Sequence, residues 1–190
     1  MEIYPLDRYY FSSKESVVDK DGTHEDRIRR LQSNYGAHGL RTCVRGVLLV
    51  ELYQQPHVLL LQVRNSTFSL PGGRLRPGES DTAGLKRKLS RKLSHNNSDD
   101  GDWEVGECIG MWWRSDFETL PYPYMPRKPK ECTKLFLVSL PMAWQFVVPR
   151  NMKLLAVPIR QLHDNCKTYG PIISGIPQLL SKFTIKIMQD

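Results

Sequence analysis

"GGRLRPGESDTAGLKRKLSRKLS", residues 72–94, joins two halves that do not match. The first half is a glycine-rich turn followed by Pro77, Gly78 and one acid, Glu79, as in loops that handle phosphate. The second half predicts an amphipathic helix from about Glu79 to Ser94, because Leu85, Leu89 and Leu93 repeat every four residues. Lys88, Arg91 and Lys92 are related by i, i+3 and i+4 and share another face of it. A magnesium site needs hard oxygen ligands, usually carboxylates, at about 2.0–2.1 Å. Three cations on that face repel a divalent ion, so no metal and no cofactor are expected here. The plainer alternative is a solvated basic helix face.

The rest of the chain is read outward from this stretch. Its 190 residues suffice for one sizeable core, and 40% are hydrophobic, as in a folded globular domain. Lysine and arginine number 27 against 20 acids, a formal charge of +7. That favours anionic partners, nucleic acid first, with a merely soluble basic surface as the alternative. No apolar run reaches the ~18 residues of a membrane span, so no membrane partner is expected. The start, "MEIYPLDRYY", lacks the basic flank and apolar stretch of a signal peptide. Cys43, Cys108, Cys132 and Cys166 lie far apart, without the paired spacing of a zinc site, and read as reduced thiols.

No internal repeat is visible. Residues 1–20 predict an extended arm lying on the domain. "GTHEDRIRRLQSNYGAHG", residues 22–39, predicts a helix capped by Thr23 with Asp26, carrying Ile28, Leu31 and Tyr35 at helical spacing and ending at Gly39. Strands are expected in "LRTCVRGVLLVEL", "HVLLLQV", "TFSLPGG", "WEVGECIGMWWR", "TKLFLVSL", "WQFVV" and "KLLAVPIRQL", the last running into a turn or short helix. "SDFETLPYPYMPRKPKE" reads as irregular, and "IPQLLSKF" as a short amphipathic helix. This order implies an α/β class: a mixed sheet between helices, an α/β/α sandwich or α+β domain.

The spacing of the opening stretch resembles the Nudix box, G-x5-E-x7-R-E-U-x-E-E-x-G-U, with U aliphatic. Gly73, Glu79, Arg87 and Leu89 match. Lys88, Arg91 and Lys92 stand where that family has glutamates, and Ser94 where it has glycine. The box is degenerate, and one remaining carboxylate is weak support for metal catalysis. Wider segments narrow the likeness: "PHVLLLQ", "LPGGRLRPGE", "GLKR", "CIGMWWR", "KLFLV", "NMKLLAVP", "YGPIIS" and "IPQLLS", with "YPL" near the start. Together they resemble the Nudix-fold small subunit of pre-mRNA cleavage factor I, the family of cleavage and polyadenylation specificity factor subunit 5, and within it a plant member. The likeness covers nearly the whole chain. It implies a Nudix-fold domain over residues 40–165, with the degenerate box at 73–94. An N-terminal arm and helix would occupy 1–39, and a C-terminal helical extension 166–190.

The resemblance implies a nuclear protein that is not an enzyme. It would bind UGUA elements in single-stranded pre-mRNA and influence poly(A)-site choice. The expected partners are a second copy of the chain, a larger cleavage factor I subunit with an RNA-recognition motif, poly(A) polymerase and the nuclear poly(A)-binding protein. It places base contacts at Asp19 and Arg27, backbone and aromatic contacts in the loop Ser66, Thr67 and Phe68, and a Tyr-Gly pair lining the site at Tyr169 and Gly170. Two positions depart from the animal pattern. Thr67 replaces a stacking phenylalanine, and Arg45 a glutamate that reads a base edge. Alternatives of another class are a dimeric scaffold with weakened RNA reading, a sensor of a nucleotide such as a dinucleoside polyphosphate, and an active hydrolase, which the inverted helix face disfavours.

Overall fold

The computed structural model describes residues 1–64, 67–95 and 102–189. The elements in chain order are β1 (Glu2–Ile3), β2 (Tyr9–Lys14), α1 (His24–His38), β3 (Arg41–Leu52), β4 (Gln55–Arg64), β5 (Thr67–Ser69), β6 (Gly72–Arg74) and α2 (Asp81–Leu93). They continue with β7 (Glu104–Arg114), β8 (Glu131–Ser139), β9 (Trp144–Pro149), β10 (Lys153–Pro158), α3 (Ile159–Leu162), α4 (Cys166–Ser174), α5 (Ile176–Leu180) and β11 (Lys186–Ile187).

The main sheet runs β10-β4-β3-β8-β7, with β5 added on β4 and β6 on β3. Its pairs are antiparallel except β3–β8. Tyr53 and Gln54 turn β3 into β4 with positive φ of 53° and 63°, and the Glu51 carboxylate supports that turn by accepting from the Gln54 N–H at 2.6 Å. The strand β3 forks. Its first part, Cys43–Arg45, pairs β6, and its last part, Leu49–Leu52, pairs β4. The fork sets the glycine-rich turn directly beside β3.

Side chains alternate across each strand, so the apolar run of β3 and β4 fills two cores at once. On one face Val44, Leu48, Val50, Leu59 and Leu61 meet Leu85, Leu89 and Leu93 of α2 and Phe146 of β9. The three leucines are fully buried, which contributes roughly 1.5–3 kcal/mol each and outweighs the poor helix propensity of Gly84 and Ser90. On the other face Val47, Leu49, Val58 and Leu60 meet Leu162, Tyr169, Ile173, Ile176 and Leu180 of α3–α5. The α/β class with helices on both sides of a mixed sheet follows from this double burial.

The N-terminal residues are extended and lie on the domain as paired strands. The strand β1 pairs β11 and β2 pairs β9, both in parallel. Tyr9 is buried and donates its hydroxyl to the Pro141 carbonyl at 2.8 Å. Lys14 donates to the carbonyls of Arg91 and Ser94, the latter at 2.8 Å, and so closes the C-terminus of α2 with a cation. The helix α1 has the expected cap: the Thr23 hydroxyl accepts from the Asp26 N–H at 3.1 Å. An additional helix, α4, precedes the predicted C-terminal one and breaks at Gly170, whose φ is 80°. All four cysteines are free thiols. Among the described residues no helix is long and apolar enough to cross a membrane.

Candidate nucleic-acid interface

The site begins at the fork of β3. Gly72 has φ of 148°, and a Cβ there would lie 2.1 Å from the Val44 carbonyl oxygen and 2.8 Å from the Arg45 Cα. Only glycine permits this approach. The backbone then turns through Pro77 and Gly78 and delivers Glu79 to Arg87. The Glu79 carboxylate accepts from Arg87 Nε at 2.7 Å and Nη2 at 2.8 Å, and from the Arg76 N–H at 2.8 Å. Arg87 is almost fully buried and also reaches the Arg74 carbonyl at 3.3 Å. The Arg87 hydrogen bonds hold the Glu79 carboxyl at about 2, against burial that acts the other way. Glu79 is therefore a tie between loop and helix, with both oxygens committed.

The cations of α2 do not share one solvated face. Arg91 is exposed, whereas Lys88 and Lys92 are half-buried. The stem of Lys88 lies over Gly73: a Cβ on that glycine would be 3.0 Å from Lys88 Cδ and Cε and 3.3 Å from Nζ. Arg45 lies across from them on β3 and donates Nη1 to the Leu70 carbonyl at 3.1 Å. Burial lowers the Lys88 ammonium below its ordinary value, and Arg87, Arg91, Lys20 and Arg45 lower it further. Burial also depresses Lys92, to about 7, with repulsion from Arg45 and Lys88 adding to it. Arg45, Lys88 and Lys92 are thus within electrostatic reach of one another, and Lys20 approaches from the N-terminal segment.

A second group lies beyond Leu70. Phe68 on β5 packs against Tyr169 with ring centroids 5.0 Å apart at a tilt of 54°. Tyr169 is buried, and its hydroxyl accepts from Gln161 Nε2 at 2.8 Å. Gly170 follows at the break in α4. Thr67 is exposed at the start of β5, opposite Arg64, and Ser66 lies outside the described residues.

The third group belongs to the N-terminal segment and α1. Asp19 accepts from the Asp21 N–H at 3.3 Å, and Asp21 grips Arg30 through two bonds of 2.9 and 3.0 Å. Arg27 is exposed on α1 and lines a shallow pocket with His24, Ile28, Leu31, Arg114, Phe117 and Glu131. Glu131 pairs Arg41 and Arg114, each at 3.2 Å. The fold therefore brings Arg45, Lys88 and Lys92 together, and separately Phe68 with Tyr169. Arg45 links the two through the Leu70 carbonyl, and the 19–21 segment is tied to α1 through Asp21 and Arg30 while Lys20 comes within electrostatic reach of Lys88. Sequence reasoning missed Lys20, Asp21 and Lys14. Lys14 and Lys20 act on the distant α2 and Asp21 ties the segment to Arg30 of α1, and residue spacing carries no signal for either.

The sequence profile of the Nudix family, described as nucleotide hydrolases, matches residues 1–183. Pre-mRNA cleavage factor Im 25 kDa subunit 1 of Arabidopsis thaliana is 66% identical over 193 residues, covering 100% of this chain and 87% of that protein. The chain belongs to the Nudix family, in the branch of the cleavage factor Im 25 kDa subunit. Cleavage and polyadenylation specificity factor subunit 5 of Dictyostelium discoideum is 40% identical over 189 residues, covering 97% of this chain and 94% of that protein. The structure of the E. coli dihydroneopterin triphosphate pyrophosphohydrolase superposes with a TM-score of 0.52 at 15% identity, over 75% of this chain and 93% of that one. This likeness concerns the Nudix fold alone. In hydrolases of the family the box glutamates hold metal; here the corresponding helix positions bear Lys88, Arg91 and Lys92.

Proposed function

We propose that the chain is a non-catalytic, nuclear RNA-binding and assembly subunit of the pre-mRNA 3′-end cleavage and polyadenylation machinery. The observation that carries this reading is the charge of the box. Its one carboxylate is committed to Arg87, and Lys88 and Lys92 turn cations toward Arg45, where a hydrolase needs acids. A cluster of cations beside the ring pair Phe68 and Tyr169 suits single-stranded RNA, which is held through phosphates, stacking and base edges. UGUA is the preferred sequence in this reading, and Asp19, Arg27, Ser66, Thr67, Phe68, Tyr169 and Gly170 supply base contacts. A second copy of the chain, a larger subunit with an RNA-recognition motif, poly(A) polymerase and the nuclear poly(A)-binding protein are its partners.

Thr67 and Arg45 favour a variant of this reading in which assembly is kept and sequence preference is reduced. Thr67 is exposed and offers no ring. Arg45 has donors only, so it attracts phosphate without reading a base donor. Filter binding with UGUA RNA and a scrambled control, at two salt concentrations, tests both. Binding with a steep salt dependence supports RNA binding, and the ratio between the two RNAs measures the preference. No binding to either RNA refutes it. Metal-dependent turnover of nucleoside diphosphate derivatives, lost in Glu79→Gln, would refute the non-catalytic part.

A further inference from the structure

We infer that the degenerate box has become a metal-free phosphate site, in which Lys88 and Lys92 of α2 and Arg45 of β3 take the charge-neutralising place that metal ions hold in a hydrolase. The inference rests on the proposed reading of this surface as a binding site, but the test below separates the two.

Geometry supplies the first part of the argument. Lys88 is laid over Gly73, whose lack of a side chain leaves room for the stem, and its Nζ is held beside the backbone of β6. Arg45 is fixed by its bond to the Leu70 carbonyl, which uses one of its five N–H donors. Lys92 comes from the next turn of the same helix face. No described carboxylate pairs Lys88 or Lys92, although carboxylates nearby on the fold are all engaged with other cations: Glu79 with Arg87, Asp81 with Lys134, and Asp21 with Arg30. Lone lysines in a half-buried cluster of like charge raise the free energy of the unliganded fold. An anion placed among them removes that cost, which is the condition for binding. Phosphate fits this donor set: the three cations come from two elements and lie within electrostatic reach of one another, and a guanidinium and two ammoniums together offer the donors its oxygens need.

Electrostatics supplies the second part. The groups facing Lys92 are Arg45 and Cys43 from β3 and Lys88 from its own helix, with Lys20 facing Lys88 from the N-terminal segment. All but the thiol are cationic. With its ammonium held near 7, Lys92 is partly neutral in the empty site at neutral pH, and an anion must draw a proton onto it. Binding should therefore take up a proton and weaken by about tenfold from pH 6 to pH 8, as the protonated fraction of a group titrating near 7 falls.

Two ligands whose own charge is constant over that range distinguish the source of the phosphate. One is a short UGUA RNA, whose phosphodiesters stay ionised; the other is inorganic sulfate, which imitates a free phosphate dianion. The protein is labelled with 13C at lysine Cε, so that Lys92 can be followed by NMR in the presence of a chelator, and calorimetry in two buffers of different ionisation enthalpy counts protons. The expected result is a lysine signal titrating near neutrality, absent in Lys92→Met, that moves to higher pH with ligand. Lys92→Met should bind about tenfold more weakly at pH 6 and take up no proton, while Lys88→Met weakens binding but keeps the uptake. Response to RNA alone assigns the site to backbone phosphate, and response to sulfate alone to a free phosphate group; either supports the site. RNA binding with no proton uptake and no loss in Lys92→Met overturns the phosphate site while leaving RNA binding intact. Sulfate binding through Lys92 without RNA binding keeps the site and overturns the RNA reading. If neither ligand moves the Lys92 signal, the inference is wrong. Thermal melting of both variants verifies that they are folded.

Discussion

Replacing Glu79 by glutamine should destabilise the fold at neutral pH and do so less and less as the solution is acidified. A carboxyl held at about 2 instead of its ordinary 4.5 corresponds to about 3 kcal/mol of stability at pH 7. Because the folded-state value is depressed, that contribution is complete above about pH 4.5 and disappears as pH falls toward 2. The substitution also takes the carboxylate away from Arg87, which is only 3% exposed. Breaking a buried pair from one side typically costs ~3–5 kcal/mol, so the electrostatic figure is a lower bound on the loss. Urea unfolding of parent and Glu79→Gln, at one protein concentration and at pH 7, 5 and 3.5, reads the difference directly. The gap should be largest at pH 7, unchanged at pH 5 and smaller at pH 3.5. A gap below about 1 kcal/mol at pH 7, or one that does not vary with pH, would mean that Glu79 does not tie the loop to the helix, and the box would need another account.

Gly72→Ala should prevent stable folding, since its Cβ would sit 2.1 Å from the Val44 carbonyl oxygen at φ of 148°; a cooperative melt within a few degrees of the parent refutes this. Lys92→Met should be more stable than the parent at pH 7, by up to about 5 kcal/mol, because the folded state holds a lysine near 7 that the unfolded chain holds near 10.5. The unfolded chain binds the extra proton between those values, so the parent gains stability as pH rises through them and the advantage of Lys92→Met should shrink steadily and vanish only above about pH 10.5. Thr67→Phe should tighten RNA binding five- to over a hundredfold, the span of roughly 1–3 kcal/mol for one base stacked on a ring; filter binding that leaves the parent affinity unchanged places the stack elsewhere.

Much of this was legible before the structure. The four-residue leucine repeat of α2, the Thr23 cap and the strand run of β3 and β4 are local patterns, and local patterns report elements well. The pairing of β1 with β11 and of β2 with β9 was not legible, because each joins residues from opposite ends of the chain. The helix α4 was hidden by Gly170 and Pro171, which read as a break and are one, but between helical turns. For the site, spacing alone set Lys88, Arg91 and Lys92 on one face. It could not tell that β3 covers part of that face and separates an exposed Arg91 from a half-buried Lys88 and Lys92. Burial is a property of what packs on the helix, and β3 comes from forty residues earlier.

The pattern of matches and departures within the box then has a physical reading. Each retained position has work in the fold that needs no metal. Gly73 lies under Lys88 in the strand beside β3, Glu79 and Arg87 tie the loop to the helix, and Leu89 is fully buried. Ser94, where the family has glycine, ends α2 in extended conformation with φ of −122°, and its carbonyl takes the Lys14 ammonium; no left-handed residue is needed there. The positions that bear cations in place of acids take no part in the Glu79–Arg87 pair or the leucine stripe. Lys88 and Lys92 lie within electrostatic reach of Arg45 and Arg91 is exposed, so their charge could be reversed without disturbing the turn, the ion pair or the leucine stripe. A fold whose structural and chemical positions interleave on one helix can exchange a metal for lysines and keep its architecture, and that separation is why the loop still looks catalytic while the helix does not.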